Sequence, residues 1–514
     1  MLVGMQDRPV EGGVYREAVV GQPLSLNPLE GATDPLSNDL TRLVHAGLVQ
    51  VIDVAGPEPD LAANWQITSD GRTYTFHLKT GLLWHDRQPL TTADVAATVA
   101  FVQSPSFKGP SELAAMWRRV HVETPDSLTV RFTLDEPYAP FLEACSLPVL
   151  PPSMLAAGVG ERAARGGPLP VGAGPFRVVE INEQGIRLAR HDGYSGIKPY
   201  LDEVQFRFFP DNGQALLALR NGQVDGALAP NEAVARAAGT PDTLVVNSVP
   251  TLGHQVILYL NLRNRVLAEG RVRQAVALSL DRGALIAAAM SGRAAPAFGP
   301  VAHYSWAYTS GVEVAPDPAQ AQQLLDSEGW TGGPTRAQAG QPLRLELAVP
   351  GDDRMVALGQ AIQAQLQGVG IQVEVHPINT LDLYRERLIP RAYDMALAGI
   401  WLGAVDPDPY PLWHSSQATD GFNFASYRSE RADELLLQER LSLGQEQRRL
   451  ALVAFQKVWK DDAPSVVLAS PIMTYAISAQ IRGVRLGEVP DTSARFQHVV
   501  DWYVQTERKP AFLP

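Results

Sequence analysis

A single cysteine, Cys145, stands in a chain of 514 residues. No internal disulfide can therefore form, and no zinc site can be built from cysteines. Long apolar runs are also missing. The longest candidate, Met395 to Val405, is broken by two glycines and falls well short of the ~18 residues that a membrane crossing needs. Basic charge is in deficit, with 43 Lys and Arg against 55 Asp and Glu, for a net charge of -12. Nucleic acid repels such a surface, so no nucleic-acid partner is expected. The opening Met1 to Gln6 has neither the basic region nor the apolar stretch of a secretory signal. This leaves either a cytoplasmic chain or one trimmed of its leader.

Catalytic signatures are lacking as well. There is no Walker loop, no His-Glu-x-x-His and no Gly-x-Ser-x-Gly elbow. Gly172-Ala173-Gly174 lacks the third glycine of a dinucleotide fingerprint. The 10 histidines are scattered, and no two stand four residues apart, so no helical metal site is expected. His85-Asp86 beside Trp84 has the composition of an acid–base pair, but its place after a strand favours a polar turn. Asp352-Asp353 and Asp461-Asp462 have the composition of a glycosidase pair. Adjacent carboxylates rarely face each other, so a helix cap or a solvated helix end is the better reading.

What is present is an ordinary globular composition, 45% hydrophobic and 19% charged. The length exceeds a single hydrophobic core, so two or more lobes are expected. Strands and helices mix throughout. Tyr74, Phe76 and Leu78 alternate with polar residues, and the turn Ser69-Asp70-Gly71 precedes them, so Trp65 to Leu78 reads as a hairpin. Thr91 to Asp94 is a capping box, followed by Val95, Val99 and Val102 at helical spacing. Val130, Phe132 and Leu134 form another alternating strand. A Gly/Pro-rich crossing from Pro148 to Gly174 reads as the return from one lobe to another. Strands follow at Ile186–Arg190 and Val204–Phe209, and a helix near Ala215–Arg220.

The second half carries a strand–helix–strand. Leu343 to Val349 alternate. Asp352 or Asp353 caps a helix with the face Met355, Leu358, Ile362 and Leu366, and Ile371, Val373 and Val375 alternate again. A right-handed crossover between parallel strands is the default for this pattern. Asp317-Pro318 opens a further helix that stops at Gly329.

The most informative segment runs from Tyr393 to Tyr410. An apolar strand leads into a loop with an indole, Trp401, two glycines and two carboxylates, Asp406 and Asp408. In α/β sheets, ligands meet the loops at the carboxyl ends of strands. Trp401 offers a flat apolar face and the aspartates offer anionic acceptors. The structural alternative is a buried tryptophan with two turn aspartates held by prolines.

Taken together, the chain resembles the family 5 extracellular solute-binding proteins, the peptide/nickel group of ABC importers. The resemblance is carried by segments in a fixed order. They are Leu26-Asn27-Pro28, Ala46-Gly47-Leu48, Pro59 to Ala62, Asn64-Trp65, Ser69 to Leu78, Trp84-His85-Asp86 and Pro89 to Val95. Downstream come Gly172 to Phe176, Gly222 to Asp225, Arg271 to Ala275 with Asp281-Arg282, Asp317 to Trp330, and Tyr393 to Pro409. The opening Gly12 to Glu17, with Asn27-Pro28, is most similar to lipoprotein-type members, which favours a trimmed leader.

The resemblance implies an α/β, periplasmic-binding-protein-like two-lobed fold with an extra inserted domain, the cluster C type. Domain I is then discontinuous (13–60, 168–262 and 478–506), domain II (61–167) is inserted, and domain III (263–477) is the second ligand lobe. A hinge would close the lobes on ligand. The implied function is capture of a small solute, a peptide or peptide-like molecule, outside the cytoplasm. Delivery would be to the permease and ATPase subunits of an ABC transporter, with the chain acting as a monomer, without cofactor and without catalysis. Oligosaccharide or metal-chelate binding is the alternative within this class. A cleft hydrolase and a sensor are the alternatives outside it. The candidate ligand-lining residues are Trp401, Gly403, Val405, Asp406, Asp408, Asn27, His254 and Asn423. Many peptide binders of the family carry an aspartate in the loop after the Tyr-Asp-Met strand that holds the peptide's ammonium group. Here Gly403 takes that position and Ala404 follows, so unmodified short peptides are expected to bind weakly.

Overall fold

The structure, a computed structural model, describes residues 5–23, 25–29, 35–52, 56–155, 167–240, 242–251, 253–303, 305–401, 406–487 and 490–510. It divides into two compact units, Met1–Val249 with Met473–Pro514, and Pro250–Ile472. The second passage between them falls inside one long strand, Ser465–Ser478. His254–Leu260 pairs with Met395–Trp401 residue for residue, and this pairing packs it with the second unit. No helix among the described residues is long and apolar enough to cross a membrane.

The first unit is built around the strand Val14–Val20. It runs parallel to Glu203–Phe209 on one side and to Gly226–Ala229 on the other. Gly185–Arg190 and Phe176–Asn182 continue the sheet in antiparallel pairing. The end of Ser465–Ser478 pairs antiparallel with Gly226–Ala229. Alternation along these strands buries Tyr15, Phe176, Leu188, Val204, Phe206 and Tyr475 in one core with Phe496 and Trp502.

The same unit holds a separate antiparallel sheet of four strands, in the order Ala62–Ile67, Thr73–Leu78, Thr129–Leu134 and Val120–Glu123. The hairpin expected from Trp65 to Leu78 forms its first two strands. The capping box also forms: the Thr91 backbone N–H donates to Asp94 Oδ2 at 2.8 Å, and Thr92–Gln103 follows as helix. Val95, Val99 and Val102 pack into one cluster with Tyr74, Phe76, Phe132 and Phe141. Two-residue alternation on the sheet and helical spacing on its cover meet in this core. Of the Gly/Pro-rich crossing, residues 156–166 lie outside the described residues.

In the second unit the strand order is Gln372–Ile378, Arg344–Pro350, Met395–Trp401, His254–Leu260 and the start of Ser465–Ser478. Arg344–Pro350 and Gln372–Ile378 are parallel, joined by the helix Asp353–Gly368, as the alternation predicts. Asp352 caps that helix by accepting from the Met355 N–H at 3.2 Å. Leu358, Ile362 and Leu366 face the sheet and are buried. Asp317 caps Pro318–Ser327, with Gly329 past its end at φ +80.

Candidate functional site

The strand Met395–Trp401 is central in its sheet. It is antiparallel to His254–Leu260 and parallel to Arg344–Pro350. Met395, Ala396, Leu397 and Ala398 are buried on both faces, which explains the unbroken apolar run in the sequence. Its carboxyl end leads toward Asp406. Trp401 stands opposite His254 in the register. The Trp401 side chain, and Gly403 and Val405 entirely, lie outside the described residues.

Past the strand end, both candidate aspartates are engaged by arginines from two consecutive helices, Glu430–Leu441 and Gln445–Asp462. Arg440 forks Asp408, with Nε to Oδ1 at 2.9 Å and Nη2 to Oδ2 at 2.6 Å. Arg448 donates from Nη1 to Asp406 Oδ2 at 2.8 Å, and its Nη2 makes an ion-pair contact with Oδ1 at 2.7 Å. Arg448 also donates from Nε to Glu439 Oε1 at 3.0 Å. The Arg440 guanidinium lies 3.8 Å over the Tyr410 ring, which stacks on His414 at 4.0 Å and 18°. Two-point geometry and a stacked guanidinium make Arg440 a geometrically demanding partner.

Burial shapes the charge of this cluster. Desolvation, aided by the Asp408 charge, pushes the Glu439 carboxyl up to about 8, against the pull of Arg448. Desolvation likewise raises Asp406, again opposed by Arg448.

The other candidates sit in different settings. Asn423 is wholly buried and holds a turn. Its Nδ2 donates to the His414 carbonyl at 3.1 Å and the Tyr427 carbonyl at 2.8 Å, and its Oδ1 accepts from Tyr427 N–H at 2.9 Å. That is a framework role, because both ends of the amide serve backbone groups. His254 is exposed at the start of its strand. Asn27, in the first unit, is buried, and its Oδ1 accepts from Leu29 N–H at 3.0 Å. It borders a cavity of about 10 Å³ lined also by Ser25, Thr41 and His45, room for roughly one water.

His85-Asp86 resolves to the polar turn. Asp86 Oδ1 accepts from Gln88 N–H at 3.0 Å. His85 Nδ1 accepts from Gly172 N–H at 3.1 Å, so its proton is on Nε2, which donates to the Gly174 carbonyl at 3.1 Å. His191 Nδ1 donates to that same carbonyl at 3.2 Å. Gly172 and Gly174 are needed for close approach rather than for a cofactor. A Cβ on Gly172 would meet the Val44 carbonyl oxygen at 2.0 Å, and one on Gly174 the Leu43 carbonyl oxygen at 2.8 Å. Asp352 serves as a helix cap. Asp462 ends a helix and accepts from the Tyr427 hydroxyl.

Sequence reasoning missed one charged centre altogether. Arg495, 1% exposed, forks Asp39 and Glu17 inside the first unit. The Tyr475 hydroxyl donates to Glu17 Oε2 at 2.8 Å, and the Tyr15 hydroxyl donates to the same oxygen. The local sequence around these residues gives no sign of burial beyond the apolar neighbours of Glu17.

The model of bacterial extracellular solute-binding proteins, family 5 Middle, matches residues 56–422. The oligopeptide-binding protein AppA of Bacillus subtilis is 25% identical over 499 residues, 93% of this chain and 90% of its own. Protein XP55 of Streptomyces lividans is 30% identical over 456 residues, 85% of this chain and 80% of its own. Among solved structures, the ABC transporter-associated periplasmic binding protein DppA from Helicobacter pylori, in complex with peptide STSA, superposes with a TM-score of 0.75. It is 26% identical and covers 96% of this chain and 98% of that one. The fold is the two-lobed α/β fold of periplasmic binding proteins. The chain belongs to the bacterial extracellular solute-binding proteins of family 5.

Proposed function

We propose that this protein captures a peptide or peptide-like solute outside the cytoplasm and delivers it to the permease and ATPase subunits of an ABC importer, leaving the solute chemically unchanged. The observation that carries the reading is the family match over residues 56–422, joined to peptide-binding relatives aligned along about nine-tenths of both chains. In this reading the carboxyl end of Met395–Trp401 contributes to the ligand site. Trp401, Gly403, Val405, His254 and Asn27 are the residues proposed to contact ligand, and Asp406, Asp408 and Asn423 to brace the segment after the strand. The inserted domain is 61–167, set between 13–60 and 168–262. The protein acts in the periplasm or at the outer face of the cytoplasmic membrane, from a lipid-anchored precursor.

The test is a thermal-shift screen of short peptides, N-acetylated peptides, oligosaccharides and metal chelates. A ligand at ~100 times its dissociation constant adds roughly 2.7 kcal/mol of stability. Stabilisation by a peptide or acetylated peptide, recovered intact by mass spectrometry, supports the reading. Stabilisation only by oligosaccharides or chelates, or hydrolysis of the bound peptide, overturns it.

A further inference from the structure

The two aspartates beyond the strand end are the obvious anchors for a cationic ligand group, yet each already has an internal cation. Arg440 and Arg448 approach from separate helices; Arg440 binds Asp408 in two-point geometry, and Arg448 holds Asp406 by one hydrogen bond and an ion-pair contact. The segment is held further by its own contacts. Tyr410 N–H donates to Asp408 Oδ1 at 3.2 Å, and the Tyr410 ring contacts both the Arg440 guanidinium and the His414 ring. Arg448 lies over the Trp306 ring at 5.2 Å and shares its guanidinium with the wholly buried Glu439. Two helices of the second unit thus converge on Asp406 and Asp408 through two guanidinium groups. A planar fork restrains a carboxylate in both position and orientation, which a point charge does not.

We infer that Arg440 and Arg448 are positioning residues for the segment Asp406–Trp413, each occupying one aspartate so that neither carboxylate is offered to a cationic group of the ligand. The inference rests on the proposed reading that the end of Met395–Trp401 lines the ligand site, and it adds a selectivity. The solute carries no free ammonium group at this end. A blocked or uncharged terminus suits a segment whose carboxylates are already neutralised, because a buried ammonium without a carboxylate partner is heavily penalised.

The test uses the full chain with Arg440→Gln, Arg448→Gln and Arg448→Lys, read in two ways. The first is hydrogen–deuterium exchange of peptides covering 395–413, without any ligand. Exchange over 406–413 is expected to rise at least tenfold in the Gln variants and less in Arg448→Lys, with His254–Leu260 unchanged. The second is calorimetry with trialanine and N-acetyl-trialanine. The ratio of affinities, free amine over acetylated, is expected to rise at least tenfold in a Gln variant as a carboxylate is released. Wild-type exchange over 406–413 in Arg440→Gln, whose arginine is the more exposed of the two, overturns the positioning role. Local loosening with an unchanged affinity ratio overturns the selectivity. If wild type binds neither peptide and no other peptide of the thermal-shift screen stabilises it, the ligand class proposed above fails, while the exchange result still decides the positioning role.

Discussion

Gly226 faces the hydroxyl of Tyr15 so closely that a Cβ built on it would lie 1.9 Å from the oxygen, and 2.7 Å from Glu17 Oε2. The strand Gly226–Ala229 can therefore cross the Tyr15–Glu17–Tyr475 cluster only without a side chain at this position. Gly226→Ala is expected to destabilise the first unit by about 1–3 kcal/mol, the usual range for overpacking a filled core. Urea denaturation followed by tryptophan fluorescence measures this. A midpoint equal to wild type would mean that the cluster yields without cost.

Arg495 is the only cation touching the buried carboxylates Glu17 and Asp39 among the described hydrogen bonds and ion pairs. Arg495→Met keeps the volume but leaves both acids without a counter-charge, and a loss of about 3–5 kcal/mol is expected. Asp39 adds a pH signature. Desolvation raises its carboxyl to about 7 although Arg495 opposes the rise. A folded value above the unfolded one gives stability that is complete below about pH 4 and lost as pH rises through 7. Asp39→Asn removes that loss, so its stability relative to wild type should climb between pH 4 and 8. A constant difference across that range would contradict the assignment.

The histidines near Gly172–Gly174 push the other way. Burial lowers His45 and His85 to about 3 and lowers His191 as well. Their folded values lie below the unfolded one, so the stability they contribute is present above about pH 6.5 and is lost as pH falls through it toward 3. Protonating His85 also removes the acceptor for Gly172 N–H. His45→Leu, which replaces a buried imidazole whose Nδ1 has no partner, should lose less stability than wild type between pH 6.5 and 4. Parallel curves in chemical denaturation would refute this.

Trp401→Ala tests the ligand side of the strand end. If the indole stacks on solute, affinity falls by about 1–3 kcal/mol. Calorimetry with the best ligand from the thermal-shift screen gives the number. Unchanged affinity in a folded variant would return Trp401 to a purely structural role.

Asp352→Ala removes the cap from Asp353–Gly368 and should cost about 1 kcal/mol. Asp352→Asn should recover most of it, because the amide oxygen can still accept from Met355 N–H. Thermal denaturation of the two variants separates the cap from a general effect of charge.

Much of the fold was legible because its causes are local. The period of two along Thr73–Leu78 and Arg344–Pro350, the caps at Thr91, Asp317 and Asp352, and the glycines past helix ends act within a few residues. Ordered motifs from Leu26-Asn27-Pro28 to Tyr393–Pro409 were enough to suggest the family. The end of Met395–Trp401, with Asp406 and Asp408 beyond it, was legible as a candidate site from apolar run and loop alone. What those aspartates do was not. Asp406 meets Arg448 across 42 positions and Asp408 meets Arg440 across 32, while Glu17 meets Arg495 across 478. A charged residue has the same sequence character whether it faces water or a buried partner. Only the packing of two helices beside a strand end, and of the chain's last segment against its first strand, decided which charges became internal pairs, because Coulomb attraction at contact distance depends on position in space and not on separation along the chain.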